Sequence, residues 1–289
     1  MDLVSEAAVA LPIPARAQAA ESPPAGWCGE TAIQEGLLYL GMWAPQRFIN
    51  RAGKPSHPDL YATEIPVALS ELGVRFTTYG RGKGYEPFAR WVTAALEAGD
   101  PVIAGVKILP TAHPEWGLDH FVLVIGHGAK GLLVNTTWGS RAWVADTTTP
   151  GLSLANAFYG LRLHGLVLPR DAVAARIELV EEGETTVKLR VVCPGITKAR
   201  SHRLERHRVT GKGDALWSAD IVRGAEPTAT ELTVDASQPA RFHCQPLDCG
   251  LRRACVVLPH ARSRARGSDG DRAGRTRRSS GTPAADATA

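Results

Sequence analysis

The stretch LDHFVLVIGHGAKGLLVNTTWGS, residues 118–140, constrains the fold more than any other part of the chain. Two β-branched apolar runs, HFVLVIGH and LLVNTTW, flank a glycine-bounded turn at Gly128 to Gly131, which is the pattern of an antiparallel hairpin. Upstream the pattern is mainly helical. A helix is predicted to open at Cys28, with Ile33, Leu37, Leu38 and Leu40 near helical spacing, Glu30 in the first turn and Gly41 as its stop. Further helices are expected over residues 62–73 and Pro87–Leu96, each followed by a strand, VRFTTYG and PVIAGVKI. GLRLHGLVL adds a last strand, and Gly160 to Pro169 closes the region. Helices first and an antiparallel sheet second is an α+β order.

Residues 171–250 differ in kind. RIELVEE, TTVKLRVVC, ALWSADIV and TELTVDAS alternate or are β-branched between turn residues, which predicts a small all-β, sandwich-like domain after a first domain at 26–170. The formal net charge of +4 hints at an acidic partner until it is located. Residues 252–289 hold nine Arg against Asp269, Asp271 and Asp286, so that segment carries the whole excess. It has no aromatic on which bases could stack, and its Arg, Ser, Gly and Ala content predicts a solvated, disordered tail with no specific nucleic-acid partner. No apolar run reaches the ~18 residues of a spanning helix. Residues 1–25 read as an extended leading segment whose ARAQAA resembles a signal-peptidase site, but it lacks a basic start and is broken by Pro12 and Pro14. Cytoplasmic and exported locations both stay open.

Chemistry concentrates at GWCGET and in the hairpin. A thiol at a helix N-terminus meets unpaired N–H groups and the positive end of the helix dipole, so Cys28 is expected to have a lowered pKa and to act as a nucleophile. His120 opens the first hairpin strand and Asn135 ends the second. Counted from the turn they are expected to face one another, the asparagine oxygen fixing the imidazole tautomer that takes the thiol proton.

Asp119, His120, Asn135, Trp138 and Gly139 together resemble the papain-like cysteine peptidases, which carry a DH dipeptide opening a strand, a small-residue turn and an asparagine followed by Trp-Gly. WCGETAIQEGLLYLG, with LPIPARAQ before it, is closest to the compact bacterial relatives grouped with bacteriocin-processing peptidases (peptidase C39-like). The resemblance covers residues 10–168. It implies a papain-like fold and hydrolysis of a peptide or protein substrate through a Cys28 acyl-enzyme. It also implies that Gln18 serves the oxyanion hole, that Trp138 shields the His120 and Asn135 contact, and that neither cofactor nor metal takes part. The chain departs from papain in three places. The interval from Cys28 to His120 is shorter; Gln18 lies farther ahead of Cys28, with Ser22 where papain has its glutamine; and two threonines, rather than one residue, separate Asn135 from Trp138, which calls for a local bulge.

The same triad would serve acyl transfer to an amine, as in transglutaminase-like or ligating enzymes, and an inactive peptide-binding module is a third reading. His127, seven residues after His120, is expected on the opposite face of the strand, and His113 in a surface loop. His243, Cys244, Cys249, Cys255 and His260 lack the usual zinc spacing, and the pairing of Cys193, Cys244, Cys249 and Cys255 is open. Trp43, Tyr61, Trp91, Trp116 and Trp138 either line an apolar cleft or pack in the core. The oligomeric state is not legible.

Overall fold

The computed structural model describes residues 3–247 apart from 25, 81–83, 110, 113, 146–151, 155–157, 169–171, 194–200, 208–216 and 222–227. The basic tail, His113, Cys249, Cys255 and His260 lie outside the described residues. All described residues belong to one compact unit, with two hydrophobic cores.

The first core surrounds an antiparallel sheet of β3 (Val74–Thr78), β8 (Gly160–Leu166), β4 (Val102–Val106), β5 (His120–Gly128), β6 (Gly131–Asn135) and β7 (Arg141–Val144), in that order. β1 (Val9–Ala10) pairs with β5 at His127 and Gly126, beyond the point where β4 stops at Val124. With Ile13 fully buried, the leading segment is an integral part of this core. Helix α1 (Cys28–Leu40) packs on one face, where Gly36 lies against Leu163 and Leu123. Helix α4 (Tyr85–Glu97) packs on the other, where Gly160 lies against Phe88 and Trp91. Two short helices, α2 (Gln46–Gly53) and α3 (Ile65–Glu71), flank α1. The chain is thus α+β, with four α-helices and antiparallel sheets among the described residues, and none of those helices is long and apolar enough to cross a membrane.

Every residue of α1 except Tyr39 is buried, which forces four polar side chains, Glu30, Thr31, Gln34 and Glu35, to find partners inside the protein. The helix ends as its sequence predicts, at Gly41 in the left-handed region (φ 92°). Directly after it, β2 (Met42–Trp43) joins the second core. There β2 and β9 (Val173–Ala174) pair with β15 (Ala240–Leu247), which continues to β12 (Ser201–His207) and β13 (Trp217–Ile221). A three-stranded sheet of β10 (Arg176–Glu182), β11 (Thr186–Cys193) and β14 (Thr228–Asp235) completes this region. Leu38, Trp43, Ile177, Leu189, Val191 and Phe242 fill its core. A disulfide from Cys193 of β11 to Cys244 of β15 joins the two sheets, and Cys28 is the free cysteine among the described residues.

Closing 51 residues of sequence separation restricts the unfolded chain most. Replacing Cys193 and Cys244 together by Ser is expected to lower the unfolding free energy by about 2–4 kcal/mol. Denaturant titration measures it, and an unchanged midpoint would show the bridge to be dispensable.

Candidate functional site

Cys28 is the first residue of α1, and Trp27 before it is the helix cap. The Trp27 N–H donates to Gln18 Oε1 (2.8 Å) and Ser22 Oγ (2.9 Å), and Ser22 Oγ in turn donates to Gln18 Oε1 (3.2 Å). Ser22 and Gln18, alternative matches for one position in the sequence comparison above, therefore act on the same peptide group. With its oxygen so engaged, the Gln18 amide has Nε2 as a donor without an acceptor among the described residues, beside the start of α1. Gly26 (φ 88°) permits this approach, since a Cβ there would stand 2.6 Å from Gln18 Oε1.

The backbone around Gln18 is fixed on both sides. Gln46 donates from Nε2 to the Ala17 carbonyl (2.9 Å) and accepts at Oε1 from the Ala19 N–H (2.8 Å). The Gln18 N–H donates to the Thr137 carbonyl (3.1 Å) and the Gly139 N–H to the Arg16 carbonyl (2.9 Å), so residues 16–18 lie antiparallel to 137–139. Arg16 forms a two-pronged pair with Glu182 at the end of β10 (2.8 and 3.0 Å) and donates from Nε to Gln34 Oε1 (3.2 Å). The second core thereby supports the strand that carries Gln18.

His120 is 4% exposed. Its Nε2 lies 3.0 Å from the Thr136 carbonyl and 3.2 Å from Thr137 Oγ1, and Trp138 stacks flat on the ring, with centroids 4.5 Å apart at 18°. A carbonyl only accepts, so Nε2 carries the ring proton and Nδ1 holds the free lone pair. Thr137 has φ 67°, a conformation that costs a β-branched residue of order 1–3 kcal/mol. The extra residue between Asn135 and Trp138 is absorbed here, as a left-handed turn; the bulge in this hairpin is in β5, at Ile125 between Val124 and Gly126.

Asn135 does not face His120. Gly128 pairs with Gly131, but His120 starts a nine-residue strand and Asn135 ends a five-residue one, so Asn135 pairs with Leu123. Its side chain is fully committed elsewhere: Nδ2 donates to the carbonyls of Pro14 (3.1 Å) and Ile13 (3.4 Å), and Oδ1 accepts from Arg141 Nε (3.3 Å). The orienting acceptor for the imidazole is a backbone carbonyl, which carries no side-chain signature; the two threonines were the only trace of it in the sequence. The β5 bulge also returns His127, opposite Leu132, to the face of Val124, opposite Val134. His127 is therefore separated from His120 by about 20 Å of strand and not by facing the other way.

Asp119 accepts from the N–H groups of Ile108 (2.7 Å) and Leu109 (3.1 Å) and pairs with Lys107 at 3.2 Å, both side chains being nearly inaccessible. It shapes the turn before His120. Breaking such a buried pair costs about 3–5 kcal/mol.

A cleft of about 470 Å³ opens beside Cys28 between Tyr61 and Trp116. Of the five aromatics singled out in the sequence, Trp43 and Trp91 are core, while Tyr61, Trp116 and Trp138 are half-exposed. The cleft's inner loop is held by Trp27 Nε1 and Asn50 Nδ2 on the Pro58 carbonyl (2.9 and 3.0 Å) and by the Leu60 N–H on Glu30 (3.0 Å).

The electrostatics of the thiol run opposite to the expectation from the helix dipole. Burial pushes the Cys28 thiol up to about 12; the Glu30 and Asp59 carboxylates add to this, while the N–H groups of Phe121 and Gly29 oppose it without prevailing. Burial also lowers the His120 pKa, against the Thr136 carbonyl and Asp119. The Phe121 N–H belongs to the peptide that follows His120, so the sulfur lies beside the backbone at the start of β5, and among the described residues no hydrogen bond joins it to the imidazole. At neutral pH both are uncharged. Glu30 and Glu35, pushed up by burial to about 7 and about 8, are largely protonated in mildly acidic solution as well.

No family model matches this sequence, and comparison with curated proteins and with solved structures returned no match.

A raised thiol pKa and a lowered imidazole pKa fix the sign of the pH dependence. Alkylation of Cys28 by iodoacetamide is expected to rise about tenfold per pH unit between pH 6 and 9. A plateau extending below pH 6, read from peptide mass maps of the alkylated protein, would reveal a preformed thiolate–imidazolium pair instead.

Proposed function

We propose that this chain is a papain-like cysteine peptidase in which Cys28 is the nucleophile and His120 its base. The observation that carries the reading is a helix-opening thiol beside the backbone of Phe121, next to His120, whose ring Nε2–H is held by the Thr136 carbonyl, leaving Nδ1 as the proton acceptor. Substrate binding brings Nδ1 to the thiol, which transfers its proton as the sulfur attacks the peptide carbonyl. The Gln18 Nε2–H and the Cys28 backbone N–H receive the oxyanion. His120 then protonates the leaving amine, and water, deprotonated by the same ring, releases the acid. Side chains and backbone suffice for each step. Asn135 serves as an anchor for residues 13–14, upstream of Gln18, rather than as the third member of a triad. The C39-like kinship is supported by the segment leading into LPIP, residues 9–10, pairing with β5, and by Gln18 lying at the start of α1. An amine in place of water would give acyl transfer by the same steps.

One observation favours a second reading, a peptide-binding module without turnover: the thiol is buried, protonated and not bonded to the imidazole.

An electrophilic peptidyl probe separates the two. Labelling is expected at Cys28, absent from Cys28→Ala and slowed about 10²-fold or more in His120→Ala. Equal labelling of His120→Ala, or a label only on Cys249 or Cys255, would overturn the assignment.

A further inference from the structure

We propose that the cleft beside Cys28 selects a cationic substrate side chain, an Arg or Lys, whose head group pairs with Asp59 while its stem lies between Tyr61 and Trp116. This rests on the peptidase-like site described above for its location, and adds the chemistry of what the site takes.

The walls are apolar: Leu60, Ala62, Leu118 and Phe121 join the two aromatics. Two carboxylates line the same cleft, and they differ in what they face. Asp119 is occupied by two backbone N–H groups and by Lys107. Asp59 has no hydrogen bond among the described residues; the His57 ring lies near it, Nδ1 at 3.6 Å. His57 in turn lies 3.4 Å from Glu64, so even a protonated imidazole leaves the group of His57, Asp59 and Glu64 with a net negative charge. No Lys or Arg is among the residues lining the cleft. A carboxylate at the edge of an apolar, aromatic-walled slot is the complement of a long side chain with an aliphatic stem and a charged tip.

The loop is also built to hold this shape before any ligand arrives. Pro58 is held by Trp27 and Asn50, Leu60 by Glu30, and the Tyr61 ring is stacked on His57 at 3.5 Å with its N–H on Glu64. On the opposite wall, the Trp116 carbonyl accepts from Lys107 Nζ at 3.0 Å. A cation seated at Asp59 has a second effect. Asp59 is one of the two carboxylates that raise the Cys28 pKa, and a bound positive charge offsets it, so a substrate of the right charge would ease ionisation of the nucleophile it is presented to.

Binding to the Cys28→Ala protein tests this without requiring turnover. Blocked hexapeptides carrying one Arg, or its neutral isostere citrulline, at each position in turn are titrated by calorimetry. At one position or more the Arg peptide is expected to bind about tenfold to a hundredfold more tightly, the range for one charge-assisted hydrogen bond. That ratio is expected to fall to about one when Asp59→Asn is added. Equal affinities at every position, no binding by any peptide, or a preference that survives Asp59→Asn would each overturn the proposal. A preference for Arg without probe labelling of Cys28 would leave a charge-selective binding module, and labelling without a preference would leave a peptidase of other specificity.

Discussion

The candidate site depends on the left-handed turn at Thr137. It directs two successive carbonyls to two different tasks: that of Thr136 to the His120 ring, and that of Thr137 to the Gln18 N–H. Regular β-structure would aim these successive carbonyls at opposite edges of the strand, toward its two neighbouring strands. The turn thus ties the base and the oxyanion candidate to a single short segment, and Trp138 covers the ring from the next position. Strain at a buried β-branched residue persists only where surrounding contacts impose it, and here the Gln18 N–H, the His120 ring and the antiparallel pairing of 16–18 with 137–139 supply them.

The same burial that orders the site also sets its charge state. A thiol at a helix start is commonly stabilised as thiolate, but that benefit falls short of the cost of desolvating Cys28 beside Glu30 and Asp59. The thiol and the imidazole are therefore both uncharged near neutral pH. Burial dominates that charge state, and the Asp59 carboxylate adds to it only as the last of several contributions.

Much of the fold was legible because it rests on hydrophobic periodicity. The helix from Cys28 to Gly41, the runs at β4, β5 and β6, and the alternating strands β10, β11 and β14 follow their apolar patterns. Helix α2 escaped because its eight residues make barely two turns and carry no capping side chain, and β15 because ARFHCQPL mixes buried Phe242 and Cys244 with Arg, His and Gln. At the site, Trp138 stacks on His120, Gln18 reaches both Thr137 and the residue before Cys28, and Cys28 meets the Phe121 N–H, whereas Asn135 does not reach His120. Counting from the Gly128 and Gly131 pair puts Asn135 opposite residue 124, well past His120, and the extra residue at Ile125 moves it one further, to Leu123. The true partner of the ring is a carbonyl, and backbone atoms leave no mark on residue identity.

The tautomer of His120 tests this arrangement most directly. Long-range ¹H–¹⁵N correlation spectra of the imidazole at pH 7 should show a neutral ring protonated on Nε2 with an unprotonated Nδ1. A ring protonated on Nδ1 alone, or an imidazolium at that pH, would contradict both the hold of the Thr136 carbonyl and the role of His120 as a base poised beside a neutral thiol.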